Sequence, residues 1–283
     1  MLGLVPDKRL EGANVAEVVT RNNVNVSGRE GAPVMVFAHG FGCDQGMFGR
    51  ILPHFNERFR TILFDHVGSG GSSLEDYDAV EYDSLDRYAS DLLEICERLE
   101  LERVTLVAHS VAAMMAVTAA TRNPERFERL VLLAPSPSYI DDPASGYVGG
   151  FSGEDVQDLL TALDDNHLAW AATMAPVVMG NPQKPELAGE LEQSFCRVDP
   201  HAMRTFARVT FLSDVRELLP RVSVPSLIVQ CSDDALAPTS VGAYMHSVMP
   251  ASTMVQLRAT GHVPQVSAPA ETAQAILDFI DRA

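Results

Sequence analysis

The feature that most restricts the fold is a set of five short apolar runs with helical patterns between them. The runs are VMVFAHG from Val34, TILFDH from Thr61, VTLVAHS from Val104, LVLLAPS from Leu130 and SLIVQCSD from Ser226. Runs that are apolar on both faces are typical of strands in a parallel sheet with both sides covered. The segment SLDRYASDLLEICERLEL has one apolar stripe, from Tyr88 to Leu99, and predicts an amphipathic helix. The pattern therefore predicts an α/β fold, with a mostly parallel central sheet and helices on both faces.

Each apolar run ends in residues that can carry chemistry. These residues are His39, Asp65, Ser110, Ser136 and the pair Asp233 and Asp234. In open parallel sheets, ligands bind beyond the carboxyl ends of the strands. We therefore expect these side chains to lie along one rim of the sheet.

One interval breaks the alternation of strands and helices. Between Leu133 and Leu227 the sequence has helical periodicity but no convincing strand. Asp199 and Pro200 mark a helix start inside it, with proline at the first helical position. We predict a helical insertion over residues 136–220, within a core formed by residues 22–135 and 221–283, and an N-terminal extension over residues 1–21.

Composition excludes several classes of partner. The chain has 283 residues, 46% of them hydrophobic, which is enough for a sizeable core. A net charge of −17 argues against binding to nucleic acid or to an anionic membrane surface. No stretch approaches the length of a membrane span, and the four scattered cysteines suggest neither a zinc site nor a disulfide framework. We expect a cytoplasmic protein with reduced thiols.

Ser110 is the candidate nucleophile, because it follows the strand VTLVA and precedes a helix that begins near Ala112. A serine on such a sharp turn projects above the sheet, and the turn requires small residues two before and two after it. Ala108 and Ala112 occupy these positions, where glycine is usual. The motif alone is weak, but no other serine of the chain has Gly or Ala at both positions at the end of a strand.

A serine nucleophile needs a base and an acid that orients the base. In this fold class the chain order is serine, acid, histidine. QCSDD supplies Asp233 or Asp234 at the end of a strand, and ATGHVPQ supplies His262 in a glycine-led loop. His262 is the better base, since the other late histidines lie in the insertion or in a helical pattern.

Two backbone amides can form the oxyanion hole that acyl transfer requires. HGFG, from His39 to Gly42, allows a tight turn that directs the Phe41 N–H inward, and Val111 follows the nucleophile directly. His39 is expected to brace this turn, and Asp65 and His66 to organise a second one, rather than to bind metal. Neither a metal nor a cofactor is expected.

Several longer strings resemble one subfamily of α/β-hydrolases. HGFGCDQGMF, ILFDHVGSGGS, AHSVAAM, APSPSYIDD, YVGGF, QCSDD and GHVPQVS occur in the order and at the intervals found in it. The subfamily contains the bacterial stress-response regulator RsbQ and the plant karrikin and strigolactone receptors, and the chain looks more similar to RsbQ. The resemblance extends from about Asn22 to the C-terminus. The alanine before His109 departs from the family's glycine, and its extra methyl group is expected to affect the turnover rate more than the fold.

The resemblance implies a four-helix lid over a deep apolar pocket and a triad of Ser110, Asp234 and His262, which selects the second aspartate. It also implies a set of substrate-binding residues: Phe41, Phe151, Trp170, Phe195 and Phe211, with Met174 where relatives often carry an aromatic residue.

The sequence thus predicts a carboxylic ester hydrolase that cleaves a small apolar ester or lactone. The resemblance to RsbQ implies that this activity serves a signalling role. The RsbQ resemblance implies a regulatory partner, a phosphatase with a sensory domain. One alternative is a receptor that turns over slowly and signals through a protein partner, and a second is a cofactor-free perhydrolase. A haloalkane dehalogenase would need aspartate at position 110 and is excluded.

Overall fold

The computed structural model describes residues 13–282, and these residues form an α/β fold. Seven strands make one sheet in the order β1-β3-β2-β4-β5-β6-β7. The strands are β1 (Asn25–Gly28), β2 (Val34–Ala38), β3 (Arg60–Leu63), β4 (Val104–His109), β5 (Phe127–Leu133), β6 (Ser226–Gln230) and β7 (Ser252–Gln256). Only β1 runs antiparallel to its neighbour. The five predicted strands are β2 to β6, and the predicted fold class is confirmed.

Helices cover both faces of the sheet and form the insertion. They are α1 (Ala13–Arg21), α2 (Leu85–Arg98), α3 (Val111–Arg122), α4 (Gly153–Asp165), α5 (His167–Met179), α6 (Pro185–Arg197), α7 (Pro200–Leu212), α8 (Thr239–Val248), α9 (Pro264–Ser267) and α10 (Pro269–Asp281). Of the predicted N-terminal extension, residues 1–12 lie outside the described residues. Residues 13–21 form α1, whose Val18 is buried in the core.

The core has two layers because successive side chains of a strand point to opposite faces. Val36, Leu106 and Leu132 pack in the same cluster as the buried residues of α2 and α3. Their neighbours Phe37, Val107 and Val131 pack on the other face, in a cluster that includes Ile276 of α10. The strands are therefore buried on both sides, as their continuous apolar runs predict.

The four-helix lid consists of α4 to α7, between β5 and β6. α7 begins where Asp199 and Pro200 predict, and the Asp199 side chain accepts hydrogen bonds from the His201 and Ala202 amides. Ser152 caps α4 with a capping box. The lid has its own apolar cluster, which includes Trp170 and Phe195 and also contacts Phe41 of the core. In residues 13–282, no helix combines the length and the hydropathy that a membrane span needs.

Candidate active site

The candidate active site lies beyond the carboxyl ends of the central strands, and Ser110 is at its centre. Ser110 connects β4 to α3 with φ 57° and ψ −126°, a sparsely populated conformation for a residue with a side chain. Its amide donates to the Leu133 carbonyl oxygen at 2.8 Å, which ties the turn to β5. Ala108 lies in the sheet between Ala38 and Leu132, so the strand accommodates the methyl group that departs from the family's glycine.

Asp234 occupies the loop that follows β6. Its Oδ1 accepts hydrogen bonds from the Leu236 and Ala237 amides at 2.9 and 3.1 Å, and its Oδ2 lies 2.8 Å from His262 Nδ1. Burial opposes ionisation of this carboxyl, but the facing imidazole and these hydrogen bonds outweigh it and hold the pKa below its ordinary value. Asp233 is exposed. The structure therefore brings the second aspartate, and not the first, to the histidine.

His262 completes the predicted constellation. Its Nε2 lies 2.7 Å from Ser110 Oγ, so the hydroxyl can donate to it while Nδ1–H donates to Asp234. The side chain is buried, and its loop follows β7. Three side chains that are far apart in the sequence thus form one hydrogen-bonded relay.

The loop that carries His262 is joined to the end of lid helix α5. The His262 amide donates to the Val178 carbonyl oxygen at 2.8 Å. The buried Asn181 side chain donates from Nδ2 to the carbonyl oxygens of Met179, at 2.6 Å, and Thr260, at 2.9 Å. Thr260 Oγ1 donates to the Gly180 carbonyl oxygen at 3.0 Å. The sequence reasoning missed this junction, because two segments about eighty residues apart meet only in the folded chain.

The junction depends on two glycines. A Cβ at Gly180 would lie 2.6 Å from the Gly261 Cα, and one at Gly261 would overlap the Met179 carbonyl oxygen. Both glycines also have positive φ, 60° and 81°. The close approach of the lid to the histidine loop is therefore possible only without side chains at these two positions.

His109, next to the nucleophile, also holds the histidine loop. Its Nε2 lies 2.8 Å from the carbonyl oxygen of His262. Burial, reinforced by the nearby His262, lowers the pKa of His109 to about 3, so the ring is neutral near pH 7 and Nε2–H is the donor. The sequence reasoning did not assign a role to His109, and its position beside Ser110 was the available signal.

The predicted oxyanion loop packs directly against the Ser110 turn. A Cβ at Gly40 would lie 2.6 Å from His109 Nδ1, so only glycine lets the loop approach this closely. Among the described residues, no main-chain acceptor outside the helices and strands takes a hydrogen bond from the Phe41 or Val111 amide. The role of these two amides in an oxyanion hole stays a prediction.

His39 braces this loop from below, in the manner expected from the sequence. Its Nδ1 donates to the Gly40 carbonyl oxygen at 2.9 Å, and its Nε2 accepts from the His66 amide at 3.1 Å. The carboxylate of Asp65 accepts from the Gln45 and Gly71 amides at 2.8 Å each. These residues organise turns at the rim. In the part of the chain that the structure describes, no cluster of three or more His, Cys, Asp or Glu side chains could hold a metal ion.

Tyr139 is a site residue that the sequence reasoning missed. Its hydroxyl lies 3.3 Å from Ser110 Oγ, and burial raises the pKa of the phenol. The phenol is therefore protonated, and its hydroxyl can donate a hydrogen bond to the Ser110 hydroxyl or accept one from it. The string APSPSYIDD contains it, but nothing local distinguishes this tyrosine from one that serves only in packing.

A small chamber lies between Ser110 and the lid. Five of the six predicted substrate-binding residues line it: Phe41, Trp170, Met174, Phe195 and Phe211. Phe151 is not in this lining; it pairs with Ile140 in a short β-bridge and packs at the edge of the lid cluster. Cys43, Thr210 and Leu236 also face the chamber. Burial raises the pKa of the Cys43 thiol to about 12, so this thiol is neutral near pH 7 and unsuited to nucleophilic attack.

Comparison with known proteins shows where this architecture occurs. The family model of the alpha/beta hydrolase fold matches residues 33–269. A probable esterase of Oryza sativa subsp. japonica is 36% identical over 88% of this chain and 91% of its own length. A strigolactone esterase of Arabidopsis thaliana is 36% identical over 89% of this chain and 93% of its own length. A karrikin insensitive 2 receptor of Petunia hybrida is 34% identical over 88% of this chain and 91% of its own length. The predicted relationship to the plant karrikin and strigolactone receptors is confirmed.

A solved structure is similar over nearly the whole chain. A hydrolase from Oleispira antarctica superposes with a TM-score of 0.91 and 38% identity, over 99% of this chain and 100% of the other. The family model, the curated relatives and this structure agree. The chain therefore belongs to the α/β-hydrolase fold family.

Proposed function

We propose that this chain is a serine hydrolase that cleaves a small, largely apolar ester or lactone. The observation that carries the proposal is the relay of Ser110, His262 and Asp234, with distances of 2.7 and 2.8 Å between successive polar atoms. A strained serine, a buried histidine and an ionised acid in this order are the parts that acyl transfer needs. The esterase names of the plant relatives support the same reaction class.

In the proposed mechanism, Ser110 Oγ attacks the carbonyl carbon while His262 Nε2 takes its proton. Asp234 holds Nδ1–H, which fixes the tautomer and stabilises the imidazolium. The Phe41 and Val111 amides donate to the oxyanion. His262 then protonates the leaving oxygen, and an acyl group remains on Ser110. A water molecule attacks this acyl-enzyme with His262 again as base, which releases the acid and restores the serine.

The lining of the chamber supports a neutral and compact substrate. It is mostly aromatic and aliphatic, and its titratable groups beside the relay are the neutral His109, Tyr139 and Cys43. A charged acyl group would therefore lose its hydration without gaining a partner.

Replacement of Ser110 by alanine tests the proposal. With a p-nitrophenyl ester as substrate, we expect Ser110→Ala to lose roughly a thousandfold or more in kcat, because removal of a triad member leaves only the oxyanion hole and binding. The exposed Ser240→Ala is the matched control and should retain the wild-type rate. A phosphonate probe should label the wild-type protein at Ser110. Turnover that Ser110→Ala leaves intact would refute the proposal.

A second candidate is a receptor that hydrolyses its ligand slowly and signals through a protein partner. The observation that favours it is the receptor name of relatives such as the one from Petunia hybrida. Both functions use the same residues, and they differ in rate and in dependence on a partner. Capture from the native cell with wild-type and Ser110→Ala protein as bait separates them. A partner retained only by the active protein, such as a phosphatase with a sensory domain, supports signalling, and its absence supports a metabolic esterase.

A further inference from the structure

Two neighbouring cavities share one wall at the candidate active site. The chamber at Ser110 is the first. The second, which we call the outer groove, is an open cleft between lid helix α6 and the segment from Cys43 to Arg50. Cys43, Leu191 and Val263 line both cavities. The outer groove therefore adjoins the chamber that contains Ser110 at these three residues.

The chamber is too small for most esters. Its volume is about 30 Å³, against the 10–15 Å³ that roughly one water molecule requires by the same measure. The outer groove has a volume of about 230 Å³. A compact acyl group fills the chamber, and any larger part of a substrate must extend elsewhere.

The position of His262 indicates which part of the substrate extends into the outer groove. The leaving oxygen takes its proton from His262 Nε2, so the alcohol portion lies on the histidine side of Ser110. Val263, which follows His262, belongs to the shared wall, and Val266 and Met179 line the outer groove beside it. The alcohol portion therefore points toward the outer groove, and the acyl portion toward the aromatic lid residues.

The outer groove has a mixed lining, in which an apolar strip lies beside paired charges and the polar Gln193 and Ser194, so it suits a neutral group with an apolar face. Its apolar lining comes from Met47, Met179, Leu187, Leu191, Val263 and Val266. The charges at its rim are already paired: Arg50 with Glu190, at 2.7 Å, and Arg197 with Asp44, at 3.1 Å. An anionic or cationic ligand would have to break one of these pairs, whereas an apolar ring or chain would not.

We propose that the outer groove is the leaving-group subsite, and that the preferred substrates are esters of a compact acyl group with a larger apolar alcohol. This inference rests on the proposed serine-hydrolase function, because it uses the proton transfer from His262. It adds a substrate class that the relay alone does not specify.

Two pairs of alkyl esters test it: octyl acetate against ethyl acetate, which varies the alcohol at similar leaving-group reactivity, and ethyl octanoate against ethyl acetate, which varies the acyl group. We expect the wild-type protein to favour the large alcohol and to reject the long acyl chain. Gln193 is exposed on α6 and lines the outer groove, so Gln193→Trp narrows the groove without disturbing the core. Gln193→Trp should lower the ratio of kcat/KM for octyl acetate to that for ethyl acetate about tenfold, the size of effect that a lost apolar contact with the substrate produces.

Two further variants keep the result interpretable. Cys196 is exposed on the same helix and outside the groove, and Cys196→Trp should leave the ratio as in the wild type. Leu187→Ala widens the groove and should raise the ratio. Ser110-dependent turnover with an unchanged ratio in Gln193→Trp, or a change that follows acyl length instead, would overturn the subsite and leave the proposed function intact. Absence of any Ser110-dependent turnover would overturn both.

Discussion

The serine and the acid are positioned differently from the histidine. Ser110 and Asp234 both follow strands of the sheet. The Ser110 amide donates to the Leu133 carbonyl oxygen of the adjacent strand, and the Asp234 carboxylate accepts from two amides of its own turn. His262 lies beyond the edge strand β7, and the lid holds its loop through Val178 and Asn181. Two members of the relay thus depend on the sheet, and the third, whose loop is also bonded to His109 and to Asp233, depends on the helical insertion as well.

This difference has a consequence for turnover. The lid covers the chamber of about 30 Å³ at Ser110, and we expect it to move when a substrate enters. Because the end of α5 is hydrogen-bonded to the loop that carries His262, such a movement at this end would also displace the base. We expect the lid to open elsewhere, with the α5 junction as its fixed point. Variants at the junction should therefore impair the histidine while the serine stays reactive.

Among variants of the residues that hold the histidine loop, Gly261→Ala is expected to cause the largest loss of activity. A Cβ at this position overlaps the Met179 carbonyl oxygen, so the lid and the histidine loop cannot keep their contact. We expect kcat for a p-nitrophenyl ester to fall roughly a hundredfold or more, because a displaced base removes most of the relay's contribution.

Gly146→Ala is the matched control for this variant. Gly146 has a similar φ of 74°, but nothing lies within 4 Å of its added Cβ. Both variants incur a backbone strain of about 1–2 kcal/mol, and only Gly261→Ala should lose activity. Equal rates in the two variants would show that the contact with Met179 does not position His262.

A smaller effect is expected from Asn181→Ala. It leaves the carbonyl oxygens of Met179 and Thr260 without their donor, and one unsatisfied buried group costs about 1–3 kcal/mol. We expect kcat to fall about tenfold while KM changes little. Asn181→Asp has the same shape but places a carboxylate against two carbonyl oxygens, so it should be worse than alanine. Steady-state kinetics of the three proteins checks this order, and an aspartate variant as active as the wild type would contradict it.

The smallest effect on activity is expected from His109→Gln. The glutamine amide can still donate to the His262 carbonyl oxygen, so turnover should stay within about threefold of the wild type. The substitution should instead change how the free energy of unfolding depends on pH. The pKa of His109 is about 3 in the folded protein and 6.5 ordinarily, so between these values the unfolded chain binds a proton that the folded one does not. The neutral His109 ring therefore does not lower the free energy of unfolding above pH 6.5, and the protein becomes progressively less stable as the pH falls below this value.

Urea denaturation of the wild type and of His109→Gln at pH 7 and pH 5 measures how much unfolding free energy each protein loses. Because one such group changes the free energy of unfolding by up to about 1.4 kcal/mol per pH unit, His109→Gln should lose about 1–2 kcal/mol less than the wild type between pH 7 and pH 5. The buried His39 and His66 also have lowered pKa values, so part of the acid dependence will remain. An identical loss in both proteins would show that His109 does not carry this dependence.

The elements that could be predicted from the sequence are those with local signals. The apolar runs locate β2 to β6, and Asp199 with Pro200 locates the start of α7, because burial on both faces and helix capping depend on neighbouring residues. The short edge strand β1 was not predicted, since three half-buried residues and an exposed glycine carry no clear period. Phe151 was expected at the pocket from the family resemblance, but its place depends on how the loop before α4 packs.

The sequence by itself determined the α/β fold, the strained serine turn and the chain order of serine, acid and histidine, since each follows from residue types at short spacing. Only the tertiary structure decided which aspartate faces His262, that Asn181 and two glycines join the lid to the histidine loop, and that an outer groove adjoins the chamber. The physical reason is that hydrogen bonds and close contacts between distant segments depend on distances of a few tenths of an ångström, and no local pattern encodes them.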